Sequence, residues 1–288
     1  MRIHQILPAS ITAAALFAGC SGQPVAPAAA APPATDAATL AAIDRVLRDD
    51  QRSDANRARD GWRHPKETLA FFGLRQDMTV MEVWPGGGGW YTEVLAPVLR
   101  ERGRYIAASW DPKSESKYVQ DNMKAFAAKL AARPDLYDRV TVTALQDPNE
   151  LRPVEPGSMD MVLTFRNLHN WMSREAADRM LAAMYASLKP GGILGMVEHR
   201  GATGQPQDPL AKSGYVRTDH AIALAEKAGF ELIGQSEINA NPRDTKDHPN
   251  GVWSLPPTFR GGDADRERFA AIGESDRFTL RFRKPAAR

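Results

Sequence analysis

From Thr79 onward, short apolar segments alternate with helical patterns, and that alternation restricts the fold more than any other feature of the chain. Thr79–Val83, Tyr105–Ala108, Val140–Ala144, Met161–Phe165 and Ile193–Val197 are apolar runs of strand length. Between them lie helical spacings. Val94, Leu95, Val98 and Leu99 precede a stop at Gly103, a polar helix is expected from Ser114 to Ala132 before Pro134, and another from Ser173 to Leu188 carries Met180, Leu181 and Met184 on one face. A further helix runs from Thr218 to Gly229, and two more strands follow, Glu231–Gln235 and Phe278–Phe282. Strands separated by helices of this size pair in parallel, with helices on both faces. The last two strands have no helix between them, so the final one is expected to run antiparallel. The expected class is α/β, a doubly wound seven-stranded, mostly parallel sheet. A chain of 288 residues, 43% hydrophobic, is long enough for one large core.

The N-terminal segment follows other rules. Arg2 is followed by an apolar run from Ile6 to Ala18, interrupted by Pro8, Ser10 and Thr12, and then by Gly19 and Cys20. The run has signal-peptide length and falls short of the ~20 residues a spanning helix needs. Phe17-Ala18-Gly19-Cys20 resembles the bacterial lipobox, which implies lipidation of Cys20 and a periplasm-facing lipoprotein; Ser21 resembles the signal for the outer membrane. Cys20 is the sole cysteine, so a disulfide within the chain, a thiolate metal cluster and a cysteine nucleophile in the body are all excluded. Residues 21–35 are Ala/Pro-rich and read as a tether. Residues 36–78 read as a helical extension: Asp36 is placed to cap a helix with Leu40, Ile43 and Leu47 on one face, and His64-Pro65 opens a short helix that Gly73 closes. The formal net charge is +2 with no clustered Lys/Arg run, so nucleic acid is not expected as a partner, and a membrane only through the lipid anchor.

Val83-Trp84-Pro85-Gly86-Gly87-Gly88-Gly89 lies between a strand and a helix, where doubly wound sheets bind ligands. A phosphate-binding P-loop requires Gly-Lys-Ser/Thr after its glycines, and this loop has no Lys. A dinucleotide fingerprint from Gly86 and Gly88 requires Gly or Ala where Tyr91 stands, and an acid about 20 residues on, where Ile106 and Ala107 stand. A tight strand-to-helix turn with no ligand is the plain structural alternative.

Glu82-x-Trp84-x-Gly86-x-Gly88-Gly89 resembles motif I of class I S-adenosylmethionine-dependent methyltransferases. Further segments resemble that family in the same order: Asp147-Pro-Asn-Glu-Leu after the third strand, Ser158-Met-Asp-Met-Val162 at the fourth, Leu188-Lys-Pro-Gly-Gly-Ile-Leu194 into the fifth, and Ala225-Glu-Lys-Ala-Gly-Phe230 before the sixth. The likeness covers Thr79 to the end, so that 79–288 reads as a methyltransferase-like domain of Rossmann-like plan. EVWPGGGGWYTEVLAP, FRNLHNW, GYVRTDH, INANPRDTKDHPNGVWSLPP and IGESDR are also similar to a narrower group of exported methyltransferase-like proteins. The resemblance implies S-adenosylmethionine as cofactor, with Glu82, Gly86, Gly87, Gly88, Asp111 and Asp147 around it. Two positions depart from the pattern. Trp84 replaces the first glycine of motif I; as a residue before proline it is biased to extended geometry, and its indole either packs into the core or intrudes on the cofactor pocket. Ser109 stands where an acid usually closes the second strand, with Asp111 two residues on as the substitute.

Side chains capable of chemistry gather after the strand ends. His169, His199 and Tyr215 are the expected catalytic groups, and Arg166, Asn167, His220, His248 and Trp253 the expected substrate contacts. The insertion 239–276 is expected to fold as a lid. Histidine suits a base near neutral pH. A metal is not expected, since no His-x-x-x-His spacing occurs. The sequence therefore reads as a methyltransferase for a small molecule, S-adenosylmethionine being its cofactor. Two alternatives stand beside it: an exported ligand-binding module on the same scaffold, since this cofactor is made in the cytosol, and a histidine-dependent lyase or hydrolase.

Overall fold

In the computed structural model, Met1, residues 34–263 and residues 265–286 are described. The expected leader from residue 2 to Cys20, and the expected tether up to residue 33, lie outside them. Among the described residues no helix is long and apolar enough to cross a membrane.

Among the described residues four helices come first: α1 (Ala37–Arg48), α2 (Asp54–Arg57), α3 (Asp60–Arg63) and α4 (Pro65–Phe72). Asp36 caps α1 by accepting from the Thr39 amide at 2.7 Å, and Gly73, at φ 81°, closes α4. Then β1 (Thr79–Val83), α5 (Thr92–Leu99), β2 (Arg104–Ser109), α6 (Lys117–Ala132), α7 (Pro134–Tyr137), β3 (Thr141–Ala144) and β4 (Met159–Phe165) follow. After β4 comes a short helix that was not expected, α8 (Leu168–Met172), and then α9 (Ala177–Ser187), which is the helix expected from Ser173 to Leu188; Glu175, at φ 53°, lies between the two. The chain ends with β5 (Leu188–His199), α10 (Thr218–Lys227), β6 (Glu231–Ser236), a 3-10 turn at Gly251–Ser254, α11 (Arg266–Ile272) and β7 (Arg277–Arg283).

The seven strands form one sheet in the order β3-β2-β1-β4-β5-β7-β6. β1 to β5 pair in parallel, and β7 runs antiparallel between β5 and β6. Alternating side chains supply two cores. Met81, Val83, Val162, Leu194 and Met196 face α8, α9 and α10, whereas Val80, Met161, Leu163, Ile193 and Val197 face α1, α4 and α5. The extension belongs to this second core: Ile43 and Val46 of α1 are 0% and 1% exposed, and burying two such side chains contributes roughly 3–6 kcal/mol. Gly195 admits α4 to the sheet, because a Cβ there would stand 2.7 Å from the Phe72 ring. The strand order reverses between β1 and β4, which opens a crevice at the carboxyl ends of those strands.

Candidate functional site

A cavity of about 280 Å³ occupies that crevice, at the small end of the ~300–1,000 Å³ usual for ligand sites. Glu82, Trp84, Pro85 and Gly86 enter from the end of β1; Trp110 and Tyr118 come from beyond β2. Phe165 ends β4, Arg166, Asn167, His169, Asn170 and Arg174 follow it, and His199 ends β5. The insertion supplies Val252, Trp253, Pro256, Pro257 and Thr258, and Glu274 and Ser275 precede β7.

On the side toward β2 and β3, aromatic rings dominate. The Trp84 backbone is left-handed at φ 50°, not extended. The amide still pairs, donating to Ala108 O at 2.8 Å, so the chain keeps the geometry that a glycine would supply and Trp bears the strain. The indole is held on several sides: Nε1 donates to Leu145 O at 2.7 Å, Trp110 and Trp171 lie 5.5 and 5.9 Å away centroid to centroid, and the Arg174 guanidinium sits over the ring. Trp84 therefore both belongs to the core and lines the cavity. The glycines after it divide. Gly86 and Gly88 have nothing within 4 Å of a Cβ position, while Gly87 faces α6 and donates from its amide to Asn122 Oδ1 at 3.0 Å.

On the side toward β4 and β5 the groups are polar and buried. Asn167 donates from Nδ2 to Val83 O at 2.9 Å, tying the loop after β4 to the end of β1. His169 opens α8, where Glu198 of β5 meets its Nδ1 at 3.0 Å and accepts from its backbone amide at 3.2 Å. Glu198 also accepts from the His199 amide at 2.8 Å, and His199 Nδ1 lies 2.5 Å from Ser275 Oγ. The two imidazoles are 5.3 Å apart, and Trp253 meets the His169 ring edge-on at 5.9 Å. Burial, then the neighbouring His169 and Arg166, push the His199 pKa well below its ordinary value, so that ring is neutral at neutral pH. Burial pushes the Glu82 carboxyl up to about 7 against the hydrogen bonds from Tyr105 and Thr92. Burial would also raise Glu274, but Arg277, Arg63 and Arg59 overcome it and hold the carboxyl well below the carboxylate range. Arg166, at φ 62°, is drawn down to about 10 by burial.

Several expected site residues lie outside the cavity. Tyr215 donates to Asp244 at 2.8 Å, and His248 Nε2 meets the same carboxylate at 2.9 Å; Asp244 also accepts the Asp276 amide. These three residues fasten the insertion to the start of β7 instead of facing a ligand. His220 lies in the first turn of α10. Asp111 accepts from the Lys113 amide, as a loop residue before Pro112 does, and Asp147 pairs with Arg179. Gly87 and Gly88 also fall outside the lining. Glu82, Gly86, Arg166, Asn167, His169, His199 and Trp253 do converge on the cavity. The orienting role of Glu198, and the cavity walls formed by Trp110, Arg174, Glu274 and Ser275, did not follow from residue type. The IGESDR phrase was their nearest signal, since it contains Glu274, Ser275 and Arg277.

His169, Glu198 and His199 bring possible ligand atoms within 4.8 Å of one another. Glu198 is already engaged with His169 Nδ1 and two backbone amides, and Arg166, Arg277 and Arg63 all act on His199. A cation is disfavoured in such surroundings.

Residues 86–196 match a family model described as a methyltransferase domain. No curated protein matches the chain. Among solved structures, a SAM-dependent methyltransferase from Aquifex aeolicus superimposes with a TM-score of 0.52 at 15% identity, over 85% of this chain and 98% of that one. The [4+2]-cyclase SpnF superimposes with a TM-score of 0.53 at 18% identity, over 89% and 98%. The fold is therefore that of the class I methyltransferases. A cyclase among the neighbours shows that the fold hosts more than one reaction.

Proposed function

We propose that this chain is an S-adenosylmethionine-dependent methyltransferase acting on a small molecule, with His169 as general base. One observation carries the reading: an open glycine backbone and a carboxylate-oriented histidine share one cavity at the switch point of the sheet. The glycine loop fits the cofactor, because Gly86, at φ 74°, lines the cavity with nothing within 4 Å of a Cβ position. The acids expected at 111 and 147 do not line it. Pro85, Gly86 and the rings of Trp84 and Trp110 would hold the cofactor in their place, with Glu82 nearby. When bound, the cofactor supplies an electrophilic methyl group.

The chain's own part is to hold the acceptor, take its proton and exclude water. With Nδ1–H donating to Glu198, His169 keeps the Nε2 lone pair free for an acceptor proton, and the carboxylate stabilises the imidazolium that forms. His199 stays neutral, so it does not compete as a cation beside His169. Trp253, Pro256 and Pro257 add apolar wall, and a dry, oriented site is what an in-line displacement needs from a protein. Anchoring at the outer membrane through a lipidated Cys20 forms part of the same proposal; mass spectrometry of the membrane fraction showing unmodified Cys20 would exclude it. For the enzyme, calorimetric titration with S-adenosylhomocysteine should give a saturable heat, and its absence would overturn the reading.

A further inference from the structure

The charges on the cavity wall do not balance. Arg166 lines the cavity, and among the described residues no carboxylate stands within ion-pair distance of its guanidinium, nor does the side chain have a hydrogen-bond partner. The carboxylates around it are committed elsewhere. Glu274 is shared by Arg59 at 2.6 Å, Arg63 at 3.1 Å and Arg277 at 2.7 Å. Glu82 is turned to Tyr105 Oη, 2.5 Å away, and Thr92. Even with Glu274 present, Nη1 and Nη2 of Arg63 and Nη2 of Arg59 are buried without a hydrogen-bond partner. Four arginines thus surround one engaged carboxylate, and Arg166 is the one that reaches the open space. Uncompensated buried charge is costly to a fold. The burial that draws Arg166 down to about 10 expresses the same cost.

We propose that Arg166 is the docking cation for an oxyanion group, a carboxylate or a phosphate, on the small molecule this cavity takes. That the molecule is a methyl acceptor rests on the reading above; that it is an anion does not. Arginine presents paired N–H donors that match such groups bidentately. The rest of the ligand meets rings: Tyr91 and Phe165 lie stacked, 3.5 Å between centroids, and Trp84 and Trp253 also line the cavity.

Benzoate and benzamide share a ring and differ in charge, so the pair tests the assignment in the full chain. By calorimetry, benzoate should bind at least about ten-fold more tightly than benzamide, and inorganic phosphate should compete with it. Arg166→Gln should weaken benzoate by about ten-fold or more, with Arg166→Lys recovering part, and Arg45→Gln, at an exposed position of α1 outside the cavity lining, should change it less than about two-fold. Equal binding of the two probes, or unchanged benzoate binding in Arg166→Gln, would overturn the proposal. Should Arg166→Gln fail to fold, the comparison of probes on the unaltered protein still decides. S-adenosylhomocysteine and its analogue lacking the carboxylate separate the source of the oxyanion. If Arg166→Gln erases the difference between these two while leaving benzoate untouched, the group belongs to the cofactor and the proposal falls. Benzoate binding with no S-adenosylhomocysteine binding would sink the methyltransferase reading and leave the anion site standing.

Discussion

The two sides of the cavity differ in how their polar groups are satisfied. Toward β2 and β3, the Trp84 indole donates to Leu145 O, Asp111 serves its own loop and Asp147 serves Arg179, so the chain answers its own needs there. Toward β4 and β5, Arg166 has no carboxylate and His169 keeps one ring nitrogen unengaged behind the bond to Glu198. Buried polar groups are ordinarily paired, and a departure needs an account. On the first side the pairing of Trp84, Asp111 and Asp147 speaks of structure. On the second it is incomplete, and incompleteness at a cavity wall is what a ligand would repair.

The contrast is tested most severely at His169. His169→Ala should lower methyl transfer by about 10²–10⁴-fold, the usual worth of a general base, while the melting temperature moves by only a few degrees. S-adenosylhomocysteine release, with an acceptor found by screening small oxyanions, measures the first and calorimetry the second. Equal losses in both would make His169 structural and erase the contrast.

Trp84 tests the other side. Trp84→Gly should cost about 3–5 kcal/mol of stability, as large-to-small core changes do, less whatever is recovered from the left-handed backbone. Affinity for S-adenosylhomocysteine should not rise. A tighter-binding mutant would mean that the indole stands where the cofactor must lie, and would favour a ligand-binding scaffold over an enzyme.

Glu82 sits under both sides and gives a pH signature. Its folded pKa of about 7 lies above the ordinary 4.5, so the folded state holds the proton more tightly than the unfolded one. Relative to Glu82→Gln, the unaltered protein should be most stable below pH 4.5 and lose that advantage as pH rises to about 7, by roughly 3 kcal/mol at about 1.36 kcal/mol per pKa unit. Chemical denaturation of both proteins at pH 5 and pH 8 reads the difference; an equal gap at both would show that the carboxyl titrates normally. The smallest expected effect is none. Asp111→Asn and Asp147→Asn should leave S-adenosylhomocysteine affinity within about two-fold, and a larger loss in titration would reopen the first side as a binding surface.

Most of the fold was legible because it is written in periodicities. Short apolar runs at Val80–Val83 and Met161–Phe165, separated by helical spacings, leave little choice but a wound sheet; β7 runs antiparallel as expected, although the expected absence of a helix before it does not hold, since α11 lies between β6 and β7. The extension was harder to place. Leu40, Ile43 and Leu47 reveal a helix, but nothing in their spacing says that the helix packs into the core of the domain. The site was legible only where position after a strand implies position at the crevice, as for Arg166, His169 and His199. Tyr215 and His248 have the residue types of catalysts, yet the loop folds them onto Asp244, a pairing between residues 29 and 4 positions apart that no local pattern announces. Glu198 is the converse case: it lies within β5, and only the pairing of β4 with β5 brings it under α8.

The meeting of Arg59 and Arg63 with Glu274, 215 and 211 residues apart in the chain, has a consequence for assembly. Among the described residues β7 follows the other six strands in the chain, yet it is inserted between β5 and β6. Until it emerges, the edge of β5 is unpaired and the cavity has no floor of charge. Such long-range closure is slow, and it exposes sticky edges while it waits. A nascent chain of this topology keeps the edge of β5 open until β7 has been made, and only with the residues just before β7 can Glu274 meet Arg59 and Arg63.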